Sequence, residues 1–135
     1  MPSSAHPKLL ASTGFDIVRL AVAAPELRVA DVAFNAGRLQ SGADRCLQMA
    51  QQERGDIVRL TAHLIIQMVR DKDRTFSKRP LGASMALILA WLHRNGFGLA
   101  LETEELVAAT RAIAAGGVYL EDLDQYLRQY VRQMG

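Results

Sequence analysis

Residues 80–95 read PLGASMALILAWLHRN, and this stretch decides the fold class of the chain. Apolar side chains occupy nearly every position, which leaves no polar face for solvent, as in a helix surrounded by other helices. Pro80 suits the first turn of such a helix, and Gly96 suits the position just past its last turn. We therefore predict a central helix over residues 80–95, the most buried in the protein, with Leu89 in the core.

Apolar residues recur at three- and four-residue spacing on the N-terminal side of this stretch, which predicts further helices. A first helix starts after residues 12–14, carries an apolar stripe and ends at Pro25. A second runs from an Asp31 cap to Gln52, with a candidate break at residues 41–42. A third starts at Asp56, stops near Arg70 and packs one broad face on the core. The expected core residues of the three helices are Phe15, Val18 and Val22; Phe34, Leu39 and Leu47; and Ile57, Leu60, Leu64, Ile65, Met68 and Val69.

The C-terminal side continues the helical pattern. Thr103, followed by two glutamates, starts a helix that ends at residues 116–117. A last amphipathic helix carries Leu120, Leu123, Tyr126, Leu127, Tyr130 and Val131. With no internal repeat and no long linker, the pattern predicts an all-α fold in one domain over residues 1–135, a helical bundle around the central helix.

Composition limits the class of protein. Half of the 135 residues are hydrophobic and 22% are charged, which is typical of a globular chain. The net charge of +2 is not concentrated in one segment, so general nucleic-acid binding is not expected. The single cysteine, Cys46, excludes an intramolecular disulfide and favours a reducing compartment. No run reaches the 18 or more apolar residues of a membrane span, and residues 1–7 carry no basic residue of the kind that precedes a signal core. We therefore expect a cytoplasmic protein without a membrane segment.

A polar loop, DKDRTFSKR at residues 71–79, precedes the central helix. Ser77, Lys78 and Arg79 lie where free backbone N–H groups and the positive end of the helix dipole attract anions. Lysine and arginine add charge and donors for phosphate oxygens. The alternative is a solvated basic loop whose charge Asp71 and Asp73 balance.

Four features together resemble the Fic/Doc family, most closely the short death-on-curing toxins. They are this loop, the buried helix ending in Leu-His-Arg-Asn-Gly, the Thr-Glu-Glu-Leu helix and the double glycine. The resemblance covers residues 60–135 and is strongest over residues 77–117. It implies an all-α bundle whose loop uses a His as general base, an acidic residue for Mg²⁺ and an Asn-Lys-Arg sequence for nucleotide phosphates. Members transfer a phosphate or a nucleotidyl group from a nucleotide to a protein hydroxyl.

Aligned with that motif, Ser77, Lys78 and Arg79 take the positions of the phosphate-binding Asn, Lys and Arg. Asp71 takes the position of the catalytic His, and Thr75 replaces the acidic Mg²⁺ ligand. Phe76 stands where the family has a small residue. The resemblance therefore implies a degenerate active-site motif, without the general base and the metal ligand.

Three functions are compatible with this sequence. The first is a Fic/Doc-like domain that acts by binding a nucleotide such as ATP with Mg²⁺, an antitoxin or a target protein. The second is an active transferase with Asp71 or Asp73 as an unusual base. The third is a helical interaction module without a nucleotide. His63, on the preceding helix, is expected to be a structural histidine with a backbone partner.

Overall fold

The helices of this protein are seen in a computed structural model, which describes residues 13–25 and 31–134. Over these ranges the chain forms seven helices and one two-stranded antiparallel sheet, which confirms the all-α prediction at the level of fold class. The elements in chain order are α1 (Thr13–Ala23), α2 (Ala36–Gln52), α3 (Ile57–Arg70), α4 (Lys72–Thr75), α5 (Pro80–Arg94), β1 (Phe97–Leu99), α6 (Thr103–Ala114), α7 (Leu120–Tyr130) and β2 (Val131–Gln133).

Helix α3 begins and ends where its sequence predicts. The Asp56 side chain caps it by accepting a hydrogen bond from the Arg59 backbone N–H at 3.0 Å. All six predicted core positions of α3 are buried. Nine of its fourteen residues are buried, against seven of fifteen in α5. The prediction that α5 is the most buried helix is therefore wrong, because α3 packs against α2, α5 and α7 together.

Helix α5 nevertheless supplies the largest buried side chain, Trp91, along with Leu87, Ile88 and Leu92. Leu89, predicted in the core, is only half-buried because it lies on the side of α5 that its neighbours leave partly open. Pro80 occupies the first turn as expected, and Gly96 takes the left-handed conformation, with φ +86°, just past the last turn.

Helix α2 starts later than its sequence suggests. Its cap is Asn35, whose side chain accepts a hydrogen bond from the Arg38 N–H at 3.0 Å, and not Asp31. Residues 33–35 are held extended by hydrogen bonds to residues 75–77, which delays the first turn. The helix is also unbroken at Gly42, where the backbone packs so closely on Gln67 that a Cβ would lie 3.2 Å from its side chain.

Helix α1 turns a different face to the core from the one predicted. Ile17 and Ala21 are buried and Val18 is partly buried, whereas Val22 is 62% exposed. The predicted role of the Phe15 side chain lies outside the described residues.

Strands β1 and β2 were not predicted. Phe97 pairs with Gln133 and Leu99 with Val131, so the residues after α7 return to the end of α5. Val131, predicted on the last helix, therefore lies in β2. Each strand has three residues, too few to show alternation in the sequence. No helix in the described ranges is both long and apolar enough to cross a membrane.

Candidate functional site

The loop before α5 is tied to the segment before α2. The Ser77 hydroxyl accepts a hydrogen bond from the Ala33 N–H at 2.9 Å, and the Ser77 N–H donates to the Ala33 carbonyl at 3.0 Å. Phe34 and Phe76 form an antiparallel bridge next to this pair. Ser77 therefore joins two segments of backbone, and its hydroxyl oxygen already has a donor.

Lys78 and Arg79 are both exposed. The Lys78 ammonium lies 3.6 Å from a carboxylate oxygen of Asp31, whose side chain is 97% exposed, so this ion pair is weak. Arg79 has left-handed backbone angles, φ 44° and ψ 52°, and forms no ion pair within residues 13–25 and 31–134. The two cations flank the start of α5 as predicted, but neither lines the depression at residues 33–35 and 73–77 or the one between α5 and α6.

Asp71 lies between α3 and α4 and is engaged within the protein. Its Oδ2 atom is 3.4 Å from Arg38 Nε and accepts a hydrogen bond from the Thr75 hydroxyl at 3.3 Å. The same hydroxyl donates to the Asp71 carbonyl at 2.9 Å. Neighbouring Asp73 forms an ion pair with Lys72 at 3.1 Å. Neither aspartate therefore forms an ion pair with Arg79. Catalysis by Asp71 stays a prediction.

The loop does not fit a magnesium nucleotide in the way that the family motif would hold one. Thr75 is buried and its hydroxyl is used locally, while Phe76 is 4% exposed and packs in the core. Within the described residues, no group of three His, Cys, Asp or Glu side chains could hold a metal ion. The residues in the positions of the general base, the metal ligand and the small residue thus all serve to hold the loop.

An apolar groove lies between α6 and α7. Its volume of about 490 Å³ is larger than that of the depression beside the loop, which is about 380 Å³. Its α6 wall carries small side chains, which leave space between the helices, and its α7 wall carries Leu123 and Tyr126. Helix α6 is attached to the core by few residues, since only Thr110 is buried. The residues that line the groove are Glu105, Ala108, Ala109, Ala112, Ile113, Val118, Asp122, Leu123 and Tyr126.

The charges at this groove are of one sign. Within the part of the chain that the structure describes, Glu105 and Asp122 are its only charged lining residues, and both are exposed carboxylates. Burial, Tyr130 and Glu105 together raise the pKa of the Tyr126 hydroxyl, whose ring lies 5.0 Å from that of Tyr130. The groove therefore combines apolar walls with an acidic rim.

A second polar cluster, which we call the Arg59 network, joins α3 to α7 and to the end of α2. Arg59 contacts Glu53 at 2.8 Å, Glu121 at 2.7 Å and Asp124 at 3.4 Å. Arg128 contacts Asp124 at 2.6 Å and Asp56 at 2.7 Å.

His63 belongs to the same network. Its Nε2 atom lies 2.6 Å from Glu53 Oε1, so its partner is a carboxylate and not the backbone group that was expected. Hydrogen bonds from Arg59 and then from His63 lower the pKa of Glu53 to about 2. Every carboxylate of the network has an arginine partner, so the network ties α3 to α7 and to the end of α2.

Sequence reasoning missed both the groove and the Arg59 network. The contacts of Arg59 with Glu121 and Asp124 span 62 and 65 residues, and no local sequence pattern indicates them. The groove did leave a signal, because Ala108, Ala109 and Ala112 give one side of α6 small side chains at helical spacing.

Comparisons with known proteins do not place the chain in a family. No protein-family model matches the chain, and a search of the curated proteins finds no match. The likeness to the Fic/Doc family therefore stays a resemblance that rests on residues 60–135.

Proposed function

We propose that this protein acts by binding a partner protein, and that the partner inserts a basic amphipathic helix into the groove between α6 and α7. The observation that carries the proposal is an apolar groove of about 490 Å³ whose charged rim residues are both acidic. An amphipathic helix buries an apolar face at positions i, i+3, i+4 and i+7 in such a groove. Lysine or arginine beside that face would complement Glu105 and Asp122.

The small side chains of α6 favour a helical occupant over a flat surface. Alanine at positions 108, 109 and 112 lets another backbone approach closely, while Leu123 and Tyr126 offer apolar area on the opposite wall. An antitoxin or a target protein, as the resemblance to the Fic/Doc family implies, would be a partner of this kind. Transfer activity is not part of this proposal, because the loop residues that would perform it are engaged in holding the loop.

The test is selection from a displayed library of helical peptides against the full chain. We expect enriched peptides to combine an apolar face with flanking lysine or arginine. They should lose binding to Ala109→Trp, which fills the groove, and keep it with Ala90→Trp, an exposed alanine on α5. A Glu105→Gln, Asp122→Asn double variant should remove the preference for basic flanks. Enriched peptides that bind Ala109→Trp as well as the wild type, or a selection without enrichment, would overturn the proposal.

Nucleotide binding stays as a second candidate because exposed Arg79 has no ion-pair partner among the described residues. Calorimetric titration with ATP and Mg²⁺ tests it, with Arg79→Glu as the variant and Arg74→Glu as the matched control. Saturable binding that only Arg79→Glu abolishes would support an anion site at the start of α5. Absence of binding by the wild type would reject it.

A further inference from the structure

A second cavity of about 260 Å³ lies where α3 and α6 end, next to the groove between α6 and α7. Its apolar wall consists of Ile66 and Val69 from α3 with Ile113 and Val118 from around the end of α6. It is more enclosed than the groove between α6 and α7. Pockets for drug-sized ligands have volumes of roughly 300–1,000 Å³, so this cavity suits a smaller molecule.

Among the described residues, the only charged ones that line this cavity are Arg70 and Lys72, and both are cationic. Arg70 forms no ion pair with any residue in the ranges 13–25 and 31–134. Lys72 has one carboxylate partner, Asp73, at 3.1 Å, but the Asp73 side chain is 75% exposed. Such a surface pair contributes little free energy, so an anion in the cavity can compete for the Lys72 ammonium.

The end of α6 contributes an opposing charge. Ala114 and Gly116 line the cavity, and the C-terminus of a helix carries about half a negative charge. Arg70 alone, with a full positive charge, exceeds that partial charge, so the site favours an anion even while Lys72 is paired with Asp73. A planar carboxylate matches the guanidinium fork of Arg70 in geometry as well as in charge.

We propose that this cavity binds a small monocarboxylate with a short apolar chain. Its carboxylate lies between Arg70 and Lys72, and its chain lies against Ile66, Val69, Ile113 and Val118. Inorganic phosphate would leave the apolar wall unused, and an amine would be repelled by both cations. The cations of this site are not part of the proposed partner groove, although Ile113 and Val118 line both.

The test is an NMR titration of the full chain with sodium hexanoate, followed at the methyl groups of Ile66 and Val69, which line this cavity and not the groove between α6 and α7. We expect saturable shifts with a Kd on the order of 1 mM, as suits a ligand of this size. Hexanamide, which has nearly the same shape without the charge, should give no saturable shift at the same concentrations. No peptide is present, so the result does not depend on the proposed partner.

Substitutions then locate the carboxylate. Arg70→Gln should weaken hexanoate binding about tenfold, as expected for loss of a charge-assisted hydrogen bond. Lys72→Gln should weaken it by a smaller factor, and Arg74→Gln, an exposed arginine outside the cavity, should leave it unchanged. Circular dichroism checks that each variant is folded. If the Arg70→Gln variant is unfolded, the comparison of hexanoate with hexanamide on the wild type tests the proposal instead. Equal shifts with both compounds, no saturation, or full binding by a folded Arg70→Gln variant would overturn the proposal.

Discussion

Replacing Arg59 by methionine should destabilise the protein by about 2 kcal/mol at neutral pH. Methionine keeps an unbranched stem but removes the charge that joins α3 to α7 and to the end of α2. Removing one member of a buried ion pair costs about 3–5 kcal/mol, because it leaves the other charge without a partner. The Arg59 side chain is 15% exposed, and Asp124 is 10% exposed.

The expected loss of stability is smaller than about 3–5 kcal/mol because each carboxylate either keeps a second partner or is exposed to water. Glu121 is 76% exposed and returns to water, Asp124 keeps Arg128, and Glu53 keeps His63. Urea denaturation gives the free energy of unfolding directly. In a thermal scan the same loss corresponds to roughly 8 °C for a chain of this length. The matched control is Glu121→Gln, which should change the free energy of unfolding by less than about 0.5 kcal/mol.

The effect of Arg59→Met should depend on pH. Because the pKa of Glu53 is lowered to about 2 from 4.5, its carboxylate stabilises the folded state above pH 4.5, and that contribution is lost as the pH falls toward 2. The difference between wild type and variant should therefore shrink between pH 5 and pH 3. A loss below about 0.5 kcal/mol at pH 7, or a difference that stays constant over this pH range, would refute the structural role of the network.

Three further predictions concern the core and the loop. Leu92→Ala should cost about 2–5 kcal/mol because Leu92 is 1% exposed, and half-buried Leu89→Ala should cost clearly less; chemical denaturation that ranks them in reverse order would contradict the packing of α5. Cys46 should resist an aromatic disulfide reagent in the native state and react fully in urea, since burial raises the pKa of its thiol to about 12; rapid native labelling would count against its burial. Ser77→Ala should cost about 0.5–1.5 kcal/mol by removing the acceptor of the Ala33 N–H, whereas Ser41→Ala, an exposed site on α2, should be nearly neutral in the same assay.

Much of the helical architecture could be predicted because it depends on neighbours in the chain. The apolar face of α3, its Asp56 cap, Pro80 in the first turn of α5 and Gly96 after its end all follow from local geometry. Periodicity gave a less accurate orientation for α1, where Val22 is exposed, since a short amphipathic helix permits more than one rotation about its axis.

The roles of the loop residues before α5 depended on contacts that no local pattern encodes. The sequence singled out Ser77, Lys78 and Arg79 as a phosphate site, and it placed the two cations correctly at the start of α5. Only the tertiary structure decided that the Ser77 hydroxyl accepts a hydrogen bond from the Ala33 N–H and that Phe76 is buried in the core.

The sequence by itself determined the class of fold and most helix boundaries, because caps, breakers and helical periodicity act within a few residues. Only the tertiary structure decided which helix is most buried, where the ends of α3 and α6 meet and which side chains join into the Arg59 network. The Arg59 network joins residues more than sixty positions apart, such as Arg59 and Asp124, whose approach depends on the packing of the whole core.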